Sequence, residues 1–320
     1  MKEKFCEAQK IIIQSKNILL VSHENPDGDA VGSLLAMKIG LNEIGKKTAV
    51  FLPSKIPSCL SFLPHAGQIK NEVNLVNTDL IIGLDYGHYN RLGLNGKNIT
   101  SINFLTIDHH LVGERLGLQI VDNDCSSTAE ILYELFPYLD VDVNHEIATC
   151  LLTGIYSDTG GFRYPSTSAH TLKIVGELLL KGAPLQKIAK LADDCNILEN
   201  LDSWTEAFKN LKIDLELGMV FSYVTAKNSP VGEQNSSKSA IASLFCTMPE
   251  IKFVVLCTEK EPGHFECSLR SQNNRGVNVG KIAQIFGGGG HRLTAGFYTT
   301  ARPEEIISTI KNLPLQEFCV

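Results

Sequence analysis

NILLVSHENPDGDAVGSLLAMKIG, residues 17–40, decides the fold. The apolar run Asn17–Ser22 stops abruptly at His23, Asp27 and Asp29, with Pro26 and Gly28 among them. From Ala30 to Ile44 the apolar residues Val31, Leu34, Leu35 and Ile39 recur at helical spacing. A strand that feeds a helix through a short polar loop is the first half of a βαβ unit. Further strands are expected at Thr48–Leu52, Leu80–Leu84, Phe104–Ile107 and Leu118–Val121. Together they imply an α/β fold on a parallel sheet, in which ligands bind outside the carboxyl ends of the strands.

Beyond the sheet, Ser127-Thr128-Ala129-Glu130 has the form of a capping box opening a helix over Ala129–Phe136. A second helix is expected over His145–Tyr156. A third runs from about Ser168 to Lys181 and stops at Gly182-Ala183-Pro184. The texture then changes. Residues 185–210 are helical and fairly polar, and strands dominate from Leu211 on: Lys212–Leu217, Met219–Thr225, Phe253–Thr258 and Phe265–Leu269. This divides the chain into a parallel-sheet domain over 1–190, a helical linker over 191–210 and a smaller mixed α/β domain over 211–320.

The 320 residues are 43% hydrophobic and 20% charged, enough for real cores. The net charge of −6 does not suit a protein that coats long duplexes, since phosphate contacts dominate that affinity. Short anionic substrates remain compatible with it. Nine scattered cysteines without a C-x-x-C read as reduced thiols of a cytoplasmic protein. The N-terminus reads as an amphipathic helix without a signal-peptide core, and no apolar run is long enough to span a membrane.

Four charged clusters end apolar elements: His23-x-x-x-Asp27-x-Asp29; Asp85 in IIGLDYG (81–87); Asp108-His109-His110 in LTIDHH (105–110); and Asp158 in GIYSDTGGF (154–162). Singly, most have ordinary explanations. Asp27 and Asp29 suit a helix N-terminus, and Asp85 and Asp158 suit turns. Jointly they do not. Three of the clusters end, or directly follow, strands of one parallel sheet, so five carboxylates and three imidazoles converge on one edge. Crowded like charges are costly unless cations neutralise them. Imidazole and carboxylate without thiolate suit manganese, magnesium and similar divalent ions, and a ligand set this large suits two of them, as in phosphoryl hydrolysis.

These four motifs, in order, resemble those of the DHH phosphoesterase family, named for the triplet seen here as Asp108-His109-His110. The C-terminal half is similar to the associated DHHA1 domain through CSLRS (267–271) and NVGKIAQIFGGGGHRLTAGF (278–297). The second stretch departs from the expected pattern at Thr294, where an alanine is usual. The likeness is to the small, two-domain nanoRNase/pAp-phosphatase (NrnA-like) branch. It implies that His23 and Asp27 bind one metal, that Asp29, His109 and Asp158 bind the other, and that Asp85 bridges them. It further implies that His110 meets the scissile phosphate, that Asp108 orients a neighbouring histidine, and that Arg270, Ser271, Gly287, Gly288, Gly289, Gly290 and His291 bind substrate. The active site is expected in the cleft between the domains. The implied cofactors are two divalent ions, manganese first and magnesium second. The implied substrates are oligoribonucleotides of about two to five residues, linear pApA-type dinucleotides, or 3′-phosphoadenosine 5′-phosphate (pAp).

Cyclic-dinucleotide, pyrophosphate or polyphosphate hydrolysis is the enzymatic alternative, and a non-catalytic nucleotide sensor the remote one. No membrane or long-duplex partner is expected, and a homodimer is allowed. His65, His88, His145, His170 and His264 read as surface or satisfied core residues, with His88 closest to a supporting role because it follows Asp85 by three positions. Trp204 reads as packing. Phe162 and Tyr164 suit either packing or a base pocket. Cys125 has no basic neighbour in sequence to activate it.

Overall fold

The computed structural model describes residues 1–110, 113–194, 201–228, 236–272, 277–290, 292–314 and 318, without the side chains of 192–194 and 236–240. Compactness divides the chain into Met1–Asp194 and Cys195–Val320.

The first unit opens with α1 (Lys2–Gln14), β1 (Asn17–Val21), α2 (Gly28–Glu43) and β2 (Lys47–Phe51). It continues through β3 (Leu80–Leu84), β4 (Asn103–Asp108), β5 (Leu118–Val121), α3 (Thr128–Leu135), α4 (His145–Asp158), α5 (Ala169–Leu180) and α6 (Leu185–Asp194). The strands form one sheet in the order β2-β1-β3-β4-β5, every pair parallel. Strand β1 alternates strictly between two cores. Ile18 and Leu20 pack with residues of α2, α3 and α4, while Leu19 and Val21 pack with Phe51, Ile81, Leu92 and Phe104. A sheet covered on both faces explains why its strands read as continuous apolar runs.

Chain order places β2 on one side of β1 and β3 on the other. The path therefore reverses between β1 and β3, and their carboxyl ends flank the crevice where doubly wound sheets bind ligands. His23 follows one of those ends and Asp85 the other.

The second unit contains α7 (Leu201–Lys209), β6 (Lys212–Asp214), β7 (Met219–Val224), α8 (Ser236–Cys246), β8 (Phe253–Glu261) and β9 (His264–Ser271). It closes with α9 (Val279–Ile285), β10 (Gly289–Gly290), β11 (Thr294–Thr299) and α10 (Pro303–Lys311). Its sheet is mixed, ordered β10-β11-β9-β8-β7-β6, with only β7 and β8 parallel. The α/β architecture expected from sequence, a parallel sheet followed by a mixed one, is present.

Several boundaries differ for local reasons. β6 ends at Asp214 rather than Leu217, because the Asp214 carboxylate accepts from Leu217 N (3.1 Å) and Gly218 turns the chain at φ +65°. α3 begins one residue early, capped by the Ser127 hydroxyl on Glu130 N (3.2 Å), while the Glu130 carboxylate turns instead to Ser126. Cys6, Cys125, Cys150, Cys257 and Cys267 carry free thiols, whereas Cys59 is disulfide-bonded, a departure from thiols throughout.

Candidate metal centre

Each charged cluster reaches the carboxyl edge of the first sheet by a different local device. Asp27 is the N-cap of α2. Its Oδ1 accepts from Asp29 N (3.0 Å) and Ala30 N (3.1 Å), which turns the chain from β1 into the helix. Asp29, fully buried in the first turn, accepts from Thr128 N (2.7 Å) and Ala129 N (3.0 Å) at the start of α3, and from the Ser33 hydroxyl (3.2 Å). Two helix N-termini thus hold Asp29.

Asp85 follows β3 with φ +54°, a left-handed conformation that is uncommon outside glycine. Its amide is fixed by Ile107 O (3.0 Å) and its carboxylate accepts from the Thr128 hydroxyl (3.3 Å). Aspartate is among the side chains that tolerate this conformation. Asp158 arrives as the last residue of α4.

These devices bring the donor atoms together. His23 Nε2 lies 3.8 Å from Asp85 Oδ2, and His109 Nε2 lies 3.1 Å from Asp158 Oδ2 and 3.5 Å from Asp85 Oδ1. Three sets could each hold an ion, with all donor atoms of a set within 4.8 Å: His23, Asp27 and Asp85; Asp29, His109 and Asp158; and Asp85, His109 and His110. Asp85 stands in both a His23 set and a His109 set.

The electrostatics are those of like charges crowded in a buried place. Burial and the neighbouring Asp158 push Asp29 up to about 7. Burial and Asp29 raise Asp85 well above the carboxylate range, and burial raises Asp158. Burial lowers His23. Burial works against a charge on His109, yet the Asp158 and Asp85 carboxylates beside it prevail and push it up to about 12. Even so, the buried His109 Nε2 makes no well-formed hydrogen bond. An orphaned ring nitrogen aimed at crowded carboxylates, with no sulfur among the donors, fits a divalent cation.

Asp108 plays a different part. Although burial opposes its charge, bonds from His110 and Gly87 hold it well below the usual carboxylate range. It accepts from His110 Nδ1 (2.7 Å), His110 N (3.0 Å), Gly87 N (2.8 Å) and Arg115 Nε (3.2 Å). Arg115 also donates to the carbonyl of His110. With Nδ1 committed to Asp108, the His110 ring keeps Nε2 for another partner.

In the second unit, Arg270 and Ser271 lie on β9. Arg270 Nη1 donates to Leu269 O (3.2 Å), and the Ser271 hydroxyl donates to Lys252 O (3.0 Å). The glycine run is more ordered than an open loop. Gly287 N and Gly288 N close α9 on Gln284 O (3.0 Å) and Ala283 O (2.9 Å), and Gly289 and Gly290 pair with β11. A Cβ on Gly288 would meet Gly296 O at 2.2 Å, so packing alone requires glycine there. His291 lies outside the described residues.

Arg91, Arg115 and the amides of Thr128 and Ala129 carry contacts that sequence alone did not single out, because none has a motif of its own. Among the described residues, no other histidine belongs to these three sets. His88, His65 and His170 pair with Glu114 (3.4 Å), Glu146 (3.4 Å) and Glu134 (2.7 Å). Trp204 stacks on Phe208 with ring centroids 6.3 Å apart, and Phe162 packs edge-on against Tyr156.

Residues 17–155 match the DHH family, N-terminal domain, and residues 219–313 match the DHHA1 domain. The chain is 30% identical over 287 residues to the bifunctional oligoribonuclease and PAP phosphatase NrnA of Thermus thermophilus, covering 87% of this chain and 83% of that one. The protein of the same name from Bacillus subtilis is 26% identical, with 92% and 94% covered. An exopolyphosphatase-related protein from Bacteroides fragilis shares the fold, with TM-score 0.87 and 24% identity over 99% of this chain and 97% of that one.

Proposed function

The chain belongs to the DHH family, and from that premise we propose that it is a metal-dependent hydrolase of short nucleotides. The candidate substrates are oligoribonucleotides of about two to five residues, linear pApA-type dinucleotides and pAp. The observation that carries the proposal is the convergence of His23, Asp27, Asp29, Asp85, His109 and Asp158 at the strand ends that flank the chain reversal. The names of the NrnA relatives supply the substrate class.

In this reading His23 and Asp27 hold one divalent ion, Asp29, His109 and Asp158 hold a second, and Asp85 serves both. Manganese is the first candidate and magnesium the next. The chemistry such ions would supply is a lowered pKa of bound water, from 15.7 toward about 7. The protein's own groups do the rest. Asp108, kept ionised, holds the His110 Nδ1 proton, so the ring presents Nε2 to a phosphoryl or leaving-group oxygen. The amides of α3 and the Ser33 and Thr128 hydroxyls fix Asp29 and Asp85, so little reorganisation is needed when substrate arrives. In the second unit, Arg270 is the group best suited to a substrate phosphate, since a guanidinium binds phosphate bidentately. An acidic chain suits a substrate with few phosphates better than a long polymer.

The test is a substrate panel with added Mn²⁺, using Asp85→Asn as the blank. A 5′-phosphorylated RNA dinucleotide, linear pApA, pAp, cyclic di-AMP and pyrophosphate are compared by product chromatography. Mononucleotides from the linear dinucleotides or AMP from pAp, absent in the blank, are expected. Turnover of pyrophosphate alone, or equal turnover by Asp85→Asn, would overturn the reading.

A further inference from the structure

Arg91 stands in the turn after β3, its main chain pinned by Glu24 N on its carbonyl (2.8 Å) and by its own amide on His88 O (3.0 Å). The guanidinium is less settled. Nη1 donates to Tyr86 O (3.3 Å), while Nη2 lies 2.9 Å from His23 Nδ1. That same Nδ1 lies 2.7 Å from Glu24 O. A guanidinium only donates and a carbonyl only accepts. His23 can therefore satisfy one of them, not both. If Nε2 is given to a cation, Nδ1 carries the proton and donates to Glu24 O, the arrangement that orients metal-bound imidazoles. Arg91 Nη2 then faces a donor and needs another acceptor.

The surroundings indicate what that acceptor is. Gly87, at φ +63°, has no side chain; a Cβ there would sit 3.6 Å from the His110 ring and 3.8 Å from Arg91 Nη1. Bare backbone thus lies between an imidazole and a guanidinium. The charges agree. Asp27, Asp29, Asp85 and Asp158 would neutralise two divalent ions, and Asp108 is matched by Arg115 at 3.2 Å. Arg91 touches a carbonyl and an imidazole, and no carboxylate among the described residues forms an ion pair with it. The loaded site would keep one positive charge, which suits a phosphodiester.

We propose that Arg91 binds a non-bridging oxygen of the substrate phosphate beside His110. This rests on the hydrolase reading above and adds to it the residue that holds the reacting phosphate from the β3 side. The test uses Arg91→Gln and Arg91→Lys with three readouts: Mn²⁺ affinity by calorimetry, inorganic phosphate affinity of the Mn²⁺-loaded protein by ³¹P relaxation, and kcat and KM on the linear dinucleotide. Mn²⁺ affinity is expected to stay within about twofold. Phosphate affinity and kcat/KM are expected to fall roughly 10- to 100-fold in Arg91→Gln, the scale of one charge-assisted bond, with partial rescue in Arg91→Lys. Unchanged phosphate affinity in Arg91→Gln overturns the proposal. So does a loss confined to Mn²⁺ affinity, which would make Arg91 a support for His23 only. Should the wild-type protein cleave no dinucleotide, the substrate reading falls, and the phosphate titration decides Arg91 by the same criterion.

Discussion

Asp29 shows how far a single carboxylate is shaped by what surrounds it. Three protein donors favour its charge, yet full burial beside Asp158 pushes it up to about 7. Between the ordinary carboxylate value and about 7, the metal-free fold keeps a proton that the unfolded chain has released. Stability therefore declines as pH rises through that window, by roughly 4 kcal/mol at most for this buried group. His109 acts in the same direction. Raised to about 12, it contributes stability that is fully present below its ordinary value of 6.5 and is lost as pH climbs toward 12. Asp108, held low, contributes stability that is lost only in acid, below the ordinary carboxylate range. With chelator present, the melting temperature is thus expected to be higher at pH 5.5 than at pH 8. Added Mn²⁺ should reverse the order, because deprotonated ligands bind the ion better and binding stabilises the fold. Thermal melts at the two pH values, with and without Mn²⁺, check this; the same pH slope in both conditions would show that the cluster is no cation site. The members of this charged cluster were legible in sequence because each cluster ends an apolar element, but the groups that support them were not. Arg115 and the amides of α3 reach the site only through folding, and an amide carries no residue signature.

At the scale of the element, the site depends on how closely α2 approaches α4, because Asp29 sits on one and Asp158 on the other. Glycine makes the approach possible. A Cβ on Gly32 would lie 2.4 Å from Cys150 O, and one on Gly154 would lie 2.6 Å from Asp29 Oδ1. The first obstacle is backbone, which no rotamer change relieves. An exposed mid-helix glycine behaves differently: a Cβ on Gly176 in α5 would meet nothing within 4 Å. Gly176→Ala is therefore expected to stabilise the protein by up to about 1 kcal/mol through helix propensity. Gly32→Ala should destabilise it by about 1–3 kcal/mol through overpacking and weaken Mn²⁺ binding as the helices part. Denaturant melts and metal titration of both variants check the contrast; a Gly32→Ala protein as stable as wild type with unchanged Mn²⁺ affinity would refute the dependence. Sequence periodicity revealed both helices but not their spacing. It also left Asp27 open between helix cap and ligand, and the structure shows why: Oδ1 caps α2 while the same carboxylate belongs to the His23 set.

For the whole molecule, sequence gave the two sheets through different signals. The parallel one came from apolar runs alternating with helices, and the mixed one came from the run of strand patterns after Leu211, to which the glycine-rich signature added the family likeness. The glycine run itself was the hardest to read, because β10 is two residues long and carries no side chains to show a period. Part of its backbone capacity is spent on α9 and β11, so the proposal of a substrate contact in the second unit rests on Arg270. A consequence separates the two units by chemistry. If the first unit supplies the reaction and the second recognises the nucleotide, loss of Arg270 should matter only for substrates with something to recognise. Arg270→Ala is expected to raise KM for a 5′-phosphorylated dinucleotide roughly 10- to 100-fold, as for one charge-assisted bond of about 1.5–3 kcal/mol. Mn²⁺ affinity should be unchanged, because every proposed metal ligand lies within Met1–Asp194. Hydrolysis of bis-p-nitrophenyl phosphate, which offers no terminal phosphate, should keep its kcat and KM. Equal losses on both substrates would mean that Arg270 supports the fold rather than the nucleotide, and no loss on either would remove it from the site.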